Sequence, residues 1–112
     1  MPLIRVQTSL SKIENTNEFL KGISSEVSNS TGKSEKYVMT LLQTNVPMTF
    51  GGSASPCCFV EIKSIGSLKP SLMSERICNL ISSKTEIPSN RIYIAFEDVA
   101  ASKWGFNGGT FG

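Results

Sequence analysis

The first residues alternate. Ile4 and Val6 stand against Leu3, Arg5 and Gln7 in the stretch PLIRVQT, the period-2 pattern of a strand. From Ser11 to Lys33 the period lengthens: Ile13, Phe19, Leu20, Ile23 and Val27 recur at helical spacing, and Gly32 is suited to cap a helix C-terminus. YVMTLLQTNV (37–46) returns to strand composition and stops at Pro47. MTFGGSASP is turn-like, and CCFVEIKSI (57–65) reads as a third strand. KPSLMSERICNLISSKTEI (69–87) predicts a second helix, with Pro70 near its first turn and Leu72, Met73, Ile77, Leu80 and Ile81 on one face. Pro88 ends that helix, RIYIAFE (91–97) is a fourth strand, and the tail WGFNGGTFG is glycine-rich and aromatic.

The order is strand, helix, strand, then again strand, helix, strand, then a tail. One unit of roughly 45 residues is used twice, without detectable sequence identity between the halves. Two βαβ units of this kind predict an α/β fold (an α+β sandwich): a four-stranded mixed sheet with both helices on one face, and a short extra strand from the tail. Such a layer leaves the other sheet face bare. VMTLL, CCFV and IYIAF read as apolar on both faces, as strands covered on both sides do. The simplest missing cover is another copy of the chain, so the pattern predicts an obligate oligomer.

The bulk properties narrow the function. A length of 112 residues fits a single domain, 1–112. The 39% hydrophobic and 18% charged contents are those of a globular chain. A net charge of +2, with scattered Lys and Arg, offers no basic stripe for nucleic acid. The longest apolar runs fall well below the ~18 residues needed to cross a membrane. The start also lacks the basic, apolar and cleavage segments of a secretory signal, so a cytoplasmic location is the default expectation. Cys57, Cys58 and Cys78 form no C-x-x-C pair and are expected to be reduced and structural.

The chain contains no histidine. That excludes a Ser-His-Asp triad, a Cys-His pair and a His-ligated zinc site together. Among unperturbed groups, only an α-amino group, at about 7.7–8.0, already titrates close to neutrality. Removal of Met1 ahead of the small Pro2 leaves a free proline amine at the head of the first strand, which makes Pro2 a candidate acid–base group. Other motifs weigh less. Gly32-Lys33-Ser34 lacks the upstream glycine of a phosphate-binding loop, since Val27 stands there, and it follows a helix instead of opening one. Asn29 heads a glycosylation sequon at the end of a predicted helix, a chance match. Phe50 to Ser53 reads as a tight turn.

Taken in order, the initial Pro2, TGK ending at Lys33, Tyr37, FGGS followed by Pro56-Cys57, SIG at Ser64–Gly66, RIYI with Tyr93, Asp98, and the closing Gly105, Asn107 and Thr110-Phe111 resemble the macrophage migration inhibitory factor family of the tautomerase superfamily. The resemblance runs almost end to end. It implies a homotrimer whose sheets line a central barrel-like channel, with active sites between subunits and the N-terminal proline as acid–base group. It implies keto–enol tautomerisation of phenylpyruvate-like α-keto acids, with no cofactor and no metal, because the carbonyl itself acidifies the adjacent C–H. By the same resemblance, Lys33 binds the substrate carboxylate with the backbone amides of Ile65 and Ser64. Tyr37, Trp104, Phe106 and Phe111 wall an aromatic-accepting pocket, and Tyr93 comes from the adjacent subunit. The alternative is a cytokine-like signalling or receptor-binding protein with a vestigial pocket, exported without a leader.

The chain departs from the family pattern in several places. Val60 stands three residues after Cys57, where the animal members have the second cysteine of a C-x-x-C pair. Ala95 replaces a pocket asparagine and Lys63 a histidine beside the pocket entrance. Trp104 stands where a small aliphatic is common, and Phe106 replaces a tryptophan, which shifts the aromatic bulk by two positions.

Overall fold

A computed structural model describes all residues from Met1 to Gly112. Strand β1 (Leu3–Thr8) leads into helix α1 (Thr16–Thr31), then β2 (Met39–Gln43), β3 (Cys58–Ser64), helix α2 (Pro70–Thr85) and β4 (Ile92–Asp98). The tail forms a miniature hairpin of β5 (Gly105–Phe106) and β6 (Gly109–Thr110).

The main sheet runs in the order β2-β1-β3-β4. β1 is parallel to β2 and antiparallel to β3, and β3 is parallel to β4. Each βαβ unit therefore contributes one parallel pair, and the antiparallel β1–β3 pairing joins the halves. Along β1 the side chains of Ile4, Val6 and Thr8 are buried while Leu3, Arg5 and Gln7 face the other way. Val60 and Ile62 of β3 join the buried row. Phe19, Ile23 and Val27 of α1, and Met73, Ile77 and Ile81 of α2, recur every fourth residue, so each helix presents one apolar stripe to that face. All belong to one core cluster, and both helices lie on one side of the sheet as the pattern predicts.

Three expectations need correction. Helix α1 begins at Thr16, not at Ser11: Asn15 adopts a left-handed conformation (φ 53°) that breaks any earlier turn, although Ile13 is still buried against the core. The tail supplies a pair of short strands instead of one extra strand, turned by Asn107 and Gly108, both at positive φ. The open sheet face is mixed in character, not apolar. Gln7 donates to Gln43 at 2.8 Å, and Arg5 pairs with Glu61 at 2.9 Å. Met39 and Tyr93 stand exposed on the same face, at 63% and 67% of their full surface. Apolar runs in β2 and β4 concealed this, because the polar row lies mostly on β1 and β3.

Candidate active site

The N-terminus enters the fold at the edge of a cavity of about 320 Å³, walled by Met1, Pro2, Leu3, Tyr37, Met39 and Trp104 among others. Phe106 and Phe111 close it from the tail. Local sequence explains the placement of each wall. Pro2 cannot donate a backbone hydrogen bond, so it sits one residue ahead of β1, where its carbonyl accepts from the Met39 amide at 3.0 Å. Pro2 is itself buried. Tyr37 ends a single 3₁₀ turn, Glu35–Tyr37, whose entry is capped by the Ser34 hydroxyl accepting from the Lys36 amide at 3.2 Å.

The aromatic wall is held by the tail hairpin. The Phe111 amide donates to the Trp104 carbonyl at 3.2 Å, which folds the end of the chain back on Trp104. Phe106 and Phe111 then stack with centroids 5.3 Å apart and planes 9° from parallel. Tyr37 meets them edge-on, at 5.9 Å from Phe106 and 6.4 Å from Phe111. Offset stacking and edge-to-face contact are the favourable aromatic geometries, so this cluster is a preformed surface for a flat apolar group.

The electrostatics single out the amine. Burial is the first cause that lowers the pKa of the Met1 ammonium below its ordinary 8.0, and the positive charge of Lys33 is the second; the Pro2 nitrogen behind it is a peptide amide until Met1 is removed. Lys33 is placed by the end of α1: Gly32 takes a left-handed C-cap (φ 73°) and its amide donates to the Ser28 carbonyl at 2.9 Å. The next turn is fixed by the Ser28 hydroxyl donating to the Lys33 carbonyl at 2.6 Å.

The structure brings Pro2, Tyr37, Trp104, Phe106 and Phe111 to one cavity. Lys33 acts on the Met1 amine through its charge but does not form the cavity wall, where Lys36 stands instead. Ser64 and Ile65 lie at the end of β3, off that wall. The Ser64 hydroxyl donates to the Gly66 carbonyl at 2.8 Å and its own carbonyl accepts from Val99, whereas the Ile65 amide has no partner within the chain. Tyr93 is far from the cavity, packed on Phe50 with centroids 4.5 Å apart beside a second hollow that includes Cys57 and Cys58. Sequence reasoning missed Leu3, Met39 and Lys36. The signal was available for Met39, which pairs with Leu3 across the β1–β2 ladder and so shares its face. No group of three or more His, Cys, Asp or Glu side chains is arranged to hold a metal ion.

Comparison with known proteins agrees with this architecture along the whole chain. The family model described as macrophage migration inhibitory factor matches residues 1–112. A macrophage migration inhibitory factor homolog of Brugia malayi is 37% identical over the full length of both chains, and the Rattus norvegicus protein is 30% identical over 99% of each. The crystal structure of a homologue from Prochlorococcus marinus superposes with a TM-score of 0.95 at 49% identity, covering 98% of this chain and 99% of that one. Matched across its full length by the family model, the protein belongs to the macrophage migration inhibitory factor family.

Proposed function

We propose that the protein is a cofactor-independent keto–enol tautomerase acting on phenylpyruvate-like α-keto acids, with the Pro2 amine exposed by removal of Met1 as its acid–base group. The observation that carries this reading is the setting of the chain start: Pro2 is buried at an apolar cavity, where burial and then Lys33 favour the neutral form of the Met1 amine one residue ahead of it. A neutral secondary amine is a competent base, and a positioned acid–base group typically contributes about 10²–10⁴-fold to a rate.

In the keto-to-enol direction, the neutral Pro2 amine takes a proton from the carbon beside the carbonyl. The C–H electron pair becomes the C=C bond, the carbonyl π pair moves to oxygen, and that oxygen gains a proton from solvent or from the prolinium. The reverse direction returns the proton to carbon, so no oxidant or reductant is consumed. Lys33 serves the substrate carboxylate and lowers the amine pKa by the same charge. The unpartnered Ile65 amide offers the carboxylate a further donor, with the neighbouring Ser64 backbone beside it. The aryl group rests on Phe106 and Phe111, between Tyr37 and Trp104. Tyr93 belongs to the site only through a neighbouring copy, so the reading includes a homotrimer whose active sites lie between subunits.

Decay of the enol absorbance of an aryl pyruvate tests the proposal. Protein whose intact mass lacks Met1 should accelerate ketonisation far above the buffer rate; a rate equal to buffer contradicts the reading.

A further inference from the structure

The cavity does not end at Leu3. In register across the open sheet face stand Met39, Leu3, Lys63 and Glu97, one from each strand. Met39 and Leu3 wall the proposed active-site cavity, while Leu3, Lys63 and Glu97 floor a neighbouring groove of about 470 Å³. Leu3, Trp104 and Gly105 border both, so the two spaces adjoin across these residues. Lys103 stands on the groove's other side.

The groove differs from the cavity in charge. Arg5, one row along the same face, is neutralised by Glu61 at 2.9 Å. Lys63, Lys103 and Glu97 enter none of the ion pairs of the chain. Two cations against one carboxylate leave the groove net positive, beside an apolar space. Walls of one prevailing sign in a concave surface concentrate counter-ions of the opposite sign.

We infer that Lys63 and Lys103 form a second anion subsite adjoining the aryl cavity, which selects substrates carrying an additional carboxylate on the end remote from the α-keto acid. Trp104 separates the two anionic ends: an aryl body occupies the aromatic cavity while a flexible anionic substituent passes Trp104 to the lysines. Glu97 opposes this binding and limits its strength. The inference rests on the reading that the cavity takes aryl α-keto acids.

The test uses two unreactive planar acids of matched shape, 4-methoxycinnamate and 4-(carboxymethoxy)cinnamate, titrated calorimetrically against the Met1-processed protein. The dianion should bind about fivefold more tightly, the scale expected of exposed ion pairs. Raising the salt should shrink that preference, Glu97→Gln should widen it, and the Lys63→Gln/Lys103→Gln double variant should abolish it while ketonisation of phenylpyruvate stays unchanged. Equal affinities in the wild type, or a preference that survives loss of both lysines, overturns the subsite. Because phenylpyruvate turnover is measured separately, its absence would refute the enzymatic reading while the binding difference still decides the subsite. Failure of both acids to bind overturns the two together.

Discussion

The Arg91 guanidinium lies 5.3 Å from the centroid of the Phe50 ring and holds the turn that carries it. Its Nη1 donates to the Phe50 carbonyl at 3.1 Å and its Nη2 to the Ser53 and Ser55 carbonyls at 3.2 and 2.9 Å. Nε completes the set on the Pro56 carbonyl at 3.0 Å. One side chain thus ties 50–56 to the start of β4, and it fixes Phe50 where Phe50 packs on Tyr93. Replacing it removes these donors and the stacking at once. Arg91→Met should lower the unfolding free energy by about 2 kcal/mol in denaturant melts, and Arg91→Lys should recover only a minor part, since an ammonium cannot span the fork.

Phe106 and Phe111 are the parallel pair at the cavity mouth. Truncating Phe106 removes the stack and one edge contact to Tyr37 without touching the core. Phe106→Ala should raise KM for an aryl pyruvate about tenfold, with kcat changed much less, as steady-state kinetics would show.

Burial and then Lys33 lower the pKa of the Met1 ammonium, and removal of Met1 leaves the Pro2 amine one residue along in the same setting. Catalysis by the neutral Pro2 base should rise with pH and level off once that amine is deprotonated. Lys33→Met should move the midpoint up, because a neighbouring positive charge disfavours the ammonium form. In chain that retains Met1, the unfolded state binds more protons between the two pKa values. Stability from this group is therefore present above about 8.0 and is lost as pH falls through the folded value. Denaturant midpoints of Met1-retaining protein across pH 6 to 9, with and without Lys33→Met, check the direction.

Cys57 and Cys58 are buried and Cys78 is partly exposed. Burial, with the neighbouring Cys57 and Cys78 adding to it, pushes the Cys58 thiol up to about 12. Alkylation of the native protein near pH 8 should therefore modify Cys78 slowly and spare the other two, whereas denatured protein should take up three equivalents. Mass spectrometry after digestion reads the sites directly.

Glu86 caps α2 in a left-handed conformation (φ 65°) and its amide donates to the Ser82 carbonyl. A side chain there is strained, and the position is solvent-exposed. Glu86→Gly should raise the unfolding free energy by about 0.5–1 kcal/mol, the reverse of the usual effect of glycine.

Much of the fold was legible because its periodicities are clean. The four-residue recurrence of Phe19, Ile23 and Val27, and of Met73, Ile77 and Ile81, marked both helices and the faces they bury. The β1 alternation gave the orientation of Ile4 and Val6. The start of α1 was less legible because Ile13 is apolar and in phase with the helix, yet it packs from the preceding loop. The tail hairpin was hidden by its length, since two-residue strands show no alternation, although Asn107-Gly108 is a strong turn signal. Pro2 could be reached from the absence of histidine, and the aromatic wall from the resemblance. The charged groove could not, because Lys63 and Lys103 are forty residues apart in sequence and meet only when β3 and the residues before the tail hairpin flank the same floor. Arg91 was read merely as part of a strand: nothing in RIYI says that its guanidinium gathers four carbonyls from a loop.

The central claim is that the amine of Pro2 carries the proton. Its most direct test is kcat/KM for aryl pyruvate ketonisation by wild-type and Pro2→Gly proteins, both shown by intact mass to have lost Met1. The account predicts a loss of at least tenfold in the variant, with folding and affinity for 4-methoxycinnamate retained, since the pocket walls remain but the constrained secondary amine is gone. Equal rates for the two proteins would contradict it.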